Sequence, residues 1–268
     1  MYKKIGMLLI VVFSLSVFMS GCTQKKQADE SNSAANKKEV LTVSAAADLT
    51  KAFADIESAF EKQNNCDVKI TYGSTGTSLE QIINGAPYDI FAAASISAIE
   101  ELKKKDMIIP DTQELYGIGR IGVATKLGST VEVKNLQDLL KPEVKKIAIA
   151  NPEHAPYGLA AKQALESAGL WEQVKDKMVY GQNIQETLTL ITTGNVEAGI
   201  IALSIYDKNE VNFALIDNNL HKPLEQAMAV IKSTKQEELA RKFIKFVNSK
   251  EGREIMKKYG FTLPNEKK

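Results

Sequence analysis

Residues 73–78 read GSTGTS and place two glycines among four hydroxyl side chains, between an apolar run and an amphipathic one. Glycine lets the backbone approach a ligand closely, and hydroxyl groups donate hydrogen bonds. The backbone N–H groups at a helix start have no intrahelical acceptor and carry partial positive charge, so they bind anions. A nucleotide-binding P-loop would add a lysine after its last glycine, and this loop has none. The stretch therefore indicates a site for a small anion.

Three other loops share this feature: each follows an apolar strand pattern with small or hydroxyl residues and then begins a helix pattern. They are residues 45–50 (AAADLT), 151–158 (NPEHAPYG) and 181–184 (GQNI). One such loop is more often a plain turn and helix cap, but four in one chain favour a shared site. Because ligands bind at the carboxyl ends of parallel strands, we expect the four loops to line one cleft.

Other kinds of site find little support in the residues. His154 and His221 are the two histidines, and each is expected to make a loop hydrogen bond, since no carboxylate is placed to complete a metal site with them. The sequence contains neither a G-x-S-x-G nucleophile elbow nor an H-E-x-x-H zinc motif. We therefore predict no catalytic residue, no metal-cation site, no cofactor and no enzymatic activity. An exported hydrolase is the alternative from a different class.

Short apolar runs alternate with helical periodicity from residue 40 to residue 259. Strand patterns occupy residues 40–47, 67–73, 88–94, 145–151, 178–180, 198–202 and 212–217, and helix patterns occupy 50–63, 77–84, 96–105, 157–168, 184–193, 239–247 and 251–259. The helix at 157–168 is predicted to turn Leu159 inward together with Ala160 and Ala164, and the segment 218–232 is left unassigned. This alternation predicts an α/β fold with mixed, mostly parallel sheets.

The first residues predict export. Lys3 and Lys4 precede an apolar run of about 15 residues that is short for a membrane-spanning helix, and SGC follows it at 20–22. This order is typical of a bacterial lipoprotein signal peptide (residues 1–21) that is cleaved before a lipid-modified Cys22; an uncleaved signal anchor is the alternative. Residues 22–39 lack large apolar side chains and are predicted to form a flexible tether.

The mature chain would then hold 268 − 21 = 247 residues, with a formal charge of +1 − 2 = −1 after loss of the two lysines. A nearly neutral chain gives no electrostatic reason to expect nucleic acid binding. After lipidation of Cys22, Cys66 is the one free thiol, so no intrachain disulfide can form. A tethered α/β protein of this size suggests a receptor with two lobes, and we place lobe 1 at residues 40–118 plus 219–268 and lobe 2 at residues 119–218.

At these loops the chain resembles the molybdate-binding proteins of ABC importers, which are solute receptors with the type II periplasmic-binding-protein fold. The stretches that carry the resemblance are, in order, LTVSAAADLTKAF, YGSTGTSLEQIINGAPYDIFAAAS, IAIANPEHAPYGLAAKQALESAGLW, YGQNIQETL, VEAGIIALS and KYGFTLP. They span residues 40–264, and NPEHAPYG followed by GQNI is a specific combination. The resemblance implies two lobes with a ligand cleft between them.

The resemblance also implies how the ligand is held: neutral hydroxyl and N–H donors surround a tetrahedral dianion, and no cation touches it. By motif, the four principal ligand-binding positions are Asp48, Thr75, Tyr157 and Ile184. Five further positions carry less weight: Ala47, Ser74, Gly76, Asn183 and Ala202. Asn183 is the expected cap of the helix that Ile184 begins. Some relatives have a tyrosine where this chain has Ala202, and the hydroxyl of Tyr157 is expected to compensate.

Asp48 departs from the pattern, because relatives often have a serine there and a carboxylate repels a dianion by a few kcal/mol at intermediate dielectric. Its side chain either turns away to cap helix 50–63, which we favour because Asp is a good N-cap, or accepts a proton that the ligand carries. The second case would indicate hydrogen phosphate or another protonated oxyanion.

The signal pattern predicts a lipoprotein on the outer face of the cell membrane, or its periplasmic side, and we expect it to be monomeric. The resemblance implies that it binds molybdate and tungstate. It would deliver them to an ABC permease and its ATPase subunit. A receptor for sulfate, phosphate or another tetrahedral oxyanion is the alternative within the same class.

Overall fold

The computed structural model describes residues 38–264. The predicted signal peptide, the predicted lipidation site Cys22 and all but the last two residues of the predicted tether lie outside the described residues. Within this range, no helix combines the length and the apolar character that crossing a membrane requires.

Strands and helices alternate along the described chain. The strands are β1 (Glu39–Ala46), β2 (Cys66–Gly73), β3 (Ile90–Ala93), β4 (Glu114–Gly119), β5 (Ile121–Lys126), β6 (Ile147–Ala150), β7 (Met178–Gly181), β8 (Ala198–Ala202), β9 (Val211–Leu215) and β10 (Leu224–Val230). The α-helices are α1 (Thr50–Gln63), α2 (Thr75–Ile83), α3 (Ile96–Lys104), α4 (Pro156–Ser167), α5 (Trp171–Val174), α6 (Ile184–Thr192), α7 (Glu237–Val247) and α8 (Lys250–Lys258). Most predicted elements are present, with ends within a few residues of the predicted ones.

The strands form two five-stranded sheets, ordered β2-β1-β3-β10-β4 and β7-β6-β8-β5-β9. In the first sheet, β10 is antiparallel to both of its neighbours, and in the second sheet β5 is. The other pairings are parallel, so four of the five strands in each sheet run in one direction. The predicted α/β fold with mixed, mostly parallel sheets is confirmed.

The chain passes between the two sheets twice. The first passage is the single residue Arg120 between β4 and β5, and the second lies between the end of β9 and the start of β10. We propose these passages as the limits of the two lobes. The C-terminal helices return to the first sheet, where Phe243 of α7 contacts Phe53 and Phe60 of α1 at ring-centroid distances of 5.9 and 5.2 Å.

The core follows from the apolar pattern of the inner strands. Every residue of β3 and of β6 is buried, as expected for strands that helices cover on both faces. Helix α1 turns Ala52, Phe53, Ile56 and Phe60 to the first sheet. The two sheets are therefore rigid supports for the loops that leave their strand ends.

Several details differ from the sequence-based expectation, and strands β4 and β5 lie in a part of the chain for which no strand was predicted. Leu159 was predicted to face inward but is 46% exposed. At about 100° per residue, it lies on the opposite side of α4 from the buried Ala161 and Ala164. The unassigned segment 218–232 contains β10, whose residues are buried except for Glu225 and which runs through the first sheet between β3 and β4.

Candidate functional site

Four loops meet at a small cavity between the two sheets. Two loops leave β1 and β2 of the first sheet, and two leave β6 and β7 of the second. The lining residues are Ala46, Ala47, Asp48, Gly73, Ser74, Thr75, Ala94, Ala155, Pro156, Tyr157, Asn183 and Ile184. Each loop begins a helix at the cavity, so the starts of α2, α4 and α6 and of the short 3₁₀ turn Ala47–Leu49 surround one space.

Seven of the nine predicted ligand-binding residues line this cavity, and two do not. Gly76 lies one residue beyond the lining, where its backbone N–H donates to the carbonyl oxygen of His154 at 2.8 Å. Ala202 is buried at the end of β8 and is not among the lining residues. Contact between these residues and an anion stays a prediction.

The hydroxyl of Thr75 is oriented by its neighbour. Its Oγ1 atom accepts a hydrogen bond from the backbone N–H of Ala94 at 3.0 Å. With one lone pair occupied, the hydroxyl hydrogen is available to a ligand. Ser74 behaves differently, because its hydroxyl donates to the carbonyl oxygen of His154 at 2.6 Å and makes no N-cap bond to α2. Thr75 is therefore the freer donor of the two.

The prediction that the Asp48 side chain caps helix α1 is wrong. Its Oδ2 atom accepts hydrogen bonds from the hydroxyl of Tyr157 and from Nε2 of Gln226, both at 2.8 Å. The N-cap position belongs to Leu49, and Asp48 lies one residue earlier in the 3₁₀ turn. Nε2 of Gln226 also lies 2.9 Å from the Tyr157 hydroxyl oxygen, which closes a triangle of polar groups.

Burial decides the electrostatics of this triangle. Asp48 is 1% exposed, and burial raises the pKa of its carboxyl group to about 6, although the hydrogen bonds from Gln226 and Tyr157 oppose the shift. Burial, with the nearby Asp48 charge, holds the pKa of Tyr157 well above its usual range, so its hydroxyl keeps its proton. The other carboxyl oxygen, Oδ1 of Asp48, is buried without a hydrogen-bond partner among the described residues.

The start of α6 matches its predicted construction. The side chain of Asn183 accepts hydrogen bonds from the N–H groups of Gln185 and Glu186, at 2.9 and 3.0 Å, and so caps the helix as predicted. Ile184 is the first helical residue, and its N–H therefore has no intrahelical acceptor. That N–H is the donor which the predicted role of Ile184 requires.

The loops from the two sheets touch each other around the cavity. The carbonyl oxygen of His154, in the loop before α4, accepts from both Ser74 and Gly76 at the start of α2. On another side, Nζ of Lys51 lies 3.2 Å from Oδ2 of Asp207 and 3.2 Å from the carbonyl oxygen of Tyr206. The cleft between the sheets is therefore closed in this conformation.

The cavity lining contains no lysine, arginine or histidine side chain, as far as residues 38–264 show. The same part of the chain holds no group of three or more His, Cys, Asp or Glu side chains that could bind a metal ion. The hydrogen-bond donors that line the cavity are backbone N–H groups and hydroxyls, which suit an oxyanion.

Sequence reasoning missed Gln226. It lies in β10, is fully buried and contacts both Asp48 and Tyr157. A glutamine inside the otherwise apolar run QAMAVI was the available signal, since a buried amide needs polar partners.

A known protein family matches most of this chain. The family described as bacterial extracellular solute-binding protein matches residues 41–262. The chain belongs to this family. Its members bind solutes for transport and are not enzymes, which confirms that prediction.

Relatives of this solute-binding protein cover nearly the whole chain. YvgL of Bacillus subtilis, which carries the name of an ABC transporter substrate-binding lipoprotein, is 32% identical over 98% of this chain and 99% of its own. The molybdate-binding protein ModA of Azotobacter vinelandii is 32% identical over 83% of this chain and 90% of its own.

A solved structure shows the same fold. The Azotobacter vinelandii periplasmic molybdate-binding protein matches with a TM-score of 0.79 at 27% identity, over 84% of this chain and 100% of its own. The predicted two-lobe type II periplasmic-binding-protein fold is confirmed. The closed cavity lies between the two sheets.

Proposed function

We propose that this solute-binding protein is an extracytoplasmic receptor for molybdate, and for tungstate as well. It would deliver the anion to an ABC permease that is driven by its ATPase subunit. Relatives named as molybdate-binding proteins support this proposal, since one of them is 32% identical over most of its length. The two anions have the same charge and nearly the same size, so a site built from hydrogen-bond donors accepts both.

The observation that carries the proposal is the closed cavity with neutral donors from both sheets. A buried dianion is tolerated only where most of its oxygen lone pairs accept hydrogen bonds. The proposed donors are the Thr75 hydroxyl and the N–H groups of Tyr157 and Ile184, each from a residue that lines the cavity. The Tyr157 hydroxyl donates to Asp48, so it does not replace the hydroxyl that is missing at Ala202. Ala47, Ser74 and Asn183 shape its wall.

We also propose that a lipid on Cys22 attaches the protein to the membrane. The signal pattern at residues 1–22 supports cleavage and lipidation at Cys22, which would hold a monomeric receptor on the outer face of the membrane or its periplasmic side. The naming of YvgL as a lipoprotein agrees with this placement.

A receptor for hydrogen phosphate is the second candidate, and one observation favours it. Oδ1 of the buried Asp48 lacks a partner, so it could accept a proton from a protonated oxyanion. Molybdate remains the first choice because a relative named for it matches 83% of this chain.

Thermal-shift titration separates these candidates. Only a true ligand of the folded state raises the melting temperature, and the rise grows with the ratio of free ligand to Kd. We expect molybdate and tungstate to raise the melting temperature more than sulfate or phosphate at equal concentration. A larger rise with phosphate would replace the proposal by its alternative, and no rise with any of the four anions would remove it.

A further inference from the structure

Asp48 combines features that fit poorly beside a dianion. It lines the cavity and is 1% exposed, and its two carboxyl oxygens have unequal surroundings. Oδ2 accepts hydrogen bonds from Tyr157 and Gln226, whereas Oδ1 is buried and unpartnered among the described residues. An ionised carboxylate in this place would repel the anion.

We propose that Asp48 takes up a proton on Oδ1 when the anion binds, so that its carboxyl group becomes a hydrogen-bond donor to the anion. This inference rests on the proposed function. The proton between the two partners is then carried by Asp48 and not by the anion, so the site accepts fully deprotonated tetrahedral oxyanions. Asp48 is then a specificity-determining residue of the site.

The groups that face Asp48 offer no other way to balance the charge. Tyr157 on α4 and Tyr116 on β4 both keep their protons, because burial holds their pKa well above the usual range. Gln226 on β10 is neutral, and Ser204 donates its hydroxyl to the backbone oxygen of Asp48 at 2.8 Å. Lys51, three residues further on, directs its amino group to Asp207 and Tyr206.

In part of the protein molecules Asp48 already carries the proton before the anion binds. Burial places the pKa of Asp48 at about 6, so a measurable fraction of the carboxyl groups is already protonated at neutral pH. A dianion in the cavity favours the neutral form further, since a nearby like charge raises a carboxyl pKa. Binding above pH 6 must therefore draw a proton from solution, whereas binding below pH 6 finds it already in place.

The pH dependence of affinity follows with a definite sign. If the protonated form binds the anion, Kd is constant below about pH 6 and rises about tenfold per pH unit above it. The rise ends only where the pKa of Asp48 in the complex is reached.

Titration calorimetry of the purified protein with molybdate tests the inference. At pH 7.5, heats measured in two buffers of different ionisation enthalpy should give an uptake of about one proton per anion. Asp48→Asn is a near-isosteric copy of the protonated group, because its amide oxygen can accept from Tyr157 and Gln226 while its NH₂ replaces Oδ1–H. This variant should take up no proton, bind molybdate independently of pH, and bind more tightly than the unchanged protein at pH 8.

Two further variants supply a control and a second test. Asp67→Asn removes a half-exposed carboxylate that pairs with Lys38 at the surface, and it should behave like the unchanged protein. Gln226→Leu removes one donor to Oδ2, which raises the pKa of Asp48 and moves the onset of the affinity loss to higher pH. A merely structural role for Gln226 would lower the melting temperature and leave that onset where it was.

Molybdate binding without proton uptake, at an affinity that does not change with pH, would overturn the inference and leave the proposed function intact. Weaker binding by Asp48→Asn than by the unchanged protein at pH 6 would do the same, provided that circular dichroism shows the variant folded. If Asp48→Asn does not fold, two other results decide. They are the proton uptake by the unchanged protein and the pH at which the affinity of Gln226→Leu begins to fall. Failure of both the unchanged protein and a folded Asp48→Asn variant to bind any of molybdate, tungstate, sulfate or phosphate overturns both.

Discussion

At the scale of single residues, the site depends on neutral donors that the protein orients in advance. Thr75 shows how this is done: the N–H of Ala94 occupies one side of its hydroxyl oxygen, so the hydroxyl hydrogen has few other directions to take. Thr75 itself is buried at the start of α2. A donor fixed before the ligand arrives loses little entropy on binding, which strengthens the interaction.

Replacement of Thr75 by alanine tests this residue. Thr75→Ala should weaken molybdate binding by about 1–3 kcal/mol, the usual cost of a buried polar group that loses its partner. The N–H of Ala94 also loses its acceptor, so the free energy of unfolding should fall. Thr75→Ser should largely restore both quantities, and Thr77→Ala, at an exposed position of the same helix, should change neither. Unchanged affinity in calorimetry of Thr75→Ala would exclude this hydroxyl from the site.

Residue pairings were the least predictable part of the site. The Asp48 carboxyl meets Tyr157 across 109 residues of chain and Gln226 across 178. A local rule, that Asp favours helix N-caps, gave the wrong role for Asp48, because the buried partners are not visible in its sequence neighbourhood. Asn183 was predicted correctly since its partners are the next residues of its own helix.

At the scale of elements, helix starts hold the site together and bring the two sheets into contact. The first turn of α2 packs against the loop before α4 so closely that a Cβ on Gly76 would lie 2.7 Å from the carbonyl oxygen of His154 and 3.0 Å from its Cα. Both neighbouring atoms are backbone, so neither can move aside as a side-chain tip would. Gly76 is required for close approach here, rather than for an unusual backbone conformation.

Gly76→Ala should therefore hinder closure of the cleft. We expect molybdate affinity in calorimetry to fall at least about tenfold, which corresponds to about 1.4 kcal/mol. The melting temperature without ligand should change little, because Ala is a better helix residue than Gly. Thr77→Ala in the same helix is the control, and a Gly76→Ala variant that binds as tightly as the control would show that this contact does not limit closure.

Elements were predictable where their pattern was local. Helix α1 and strand β8 were placed to the residue, because the apolar positions of each repeat with an unambiguous period. Strand β10 was missed since its sequence, LEQAMAV, is buried at nearly every position and shows no alternation to mark it. Strand β10 is also antiparallel to both of its neighbours. It enters the first sheet after the chain has passed through the second sheet, and no local pattern shows this.

At the scale of the whole molecule, the sequence predicted two lobes from strand–helix alternation and length, and the topology shows two sheets of matching order. The closed conformation was not visible in the sequence. It depends on contacts between distant loops, such as Lys51 with Asp207 and Ser74 with His154. The partly exposed Lys51–Asp207 ion pair contributes at most about 1 kcal/mol to this closure.

We therefore expect the anion to shift the population toward the closed form, because only that form offers donors from both sheets. Small-angle scattering should show a smaller radius of gyration with saturating molybdate than without it, and Gly76→Ala should show little change. An identical radius of gyration for the unchanged protein in both conditions would mean that the cleft is closed before the anion arrives.

We propose that amide and hydroxyl groups of both sheets, without any cation, hold a tetrahedral dianion. A crystal structure of the molybdate complex, with the molybdenum located by its anomalous signal, tests it most directly. We expect the anion in the cavity lined by Asp48, Thr75, Tyr157 and Ile184, within hydrogen-bond distance of donors from both sheets. A lysine, arginine or metal ion in contact with the anion, or an anion bound elsewhere, would contradict it.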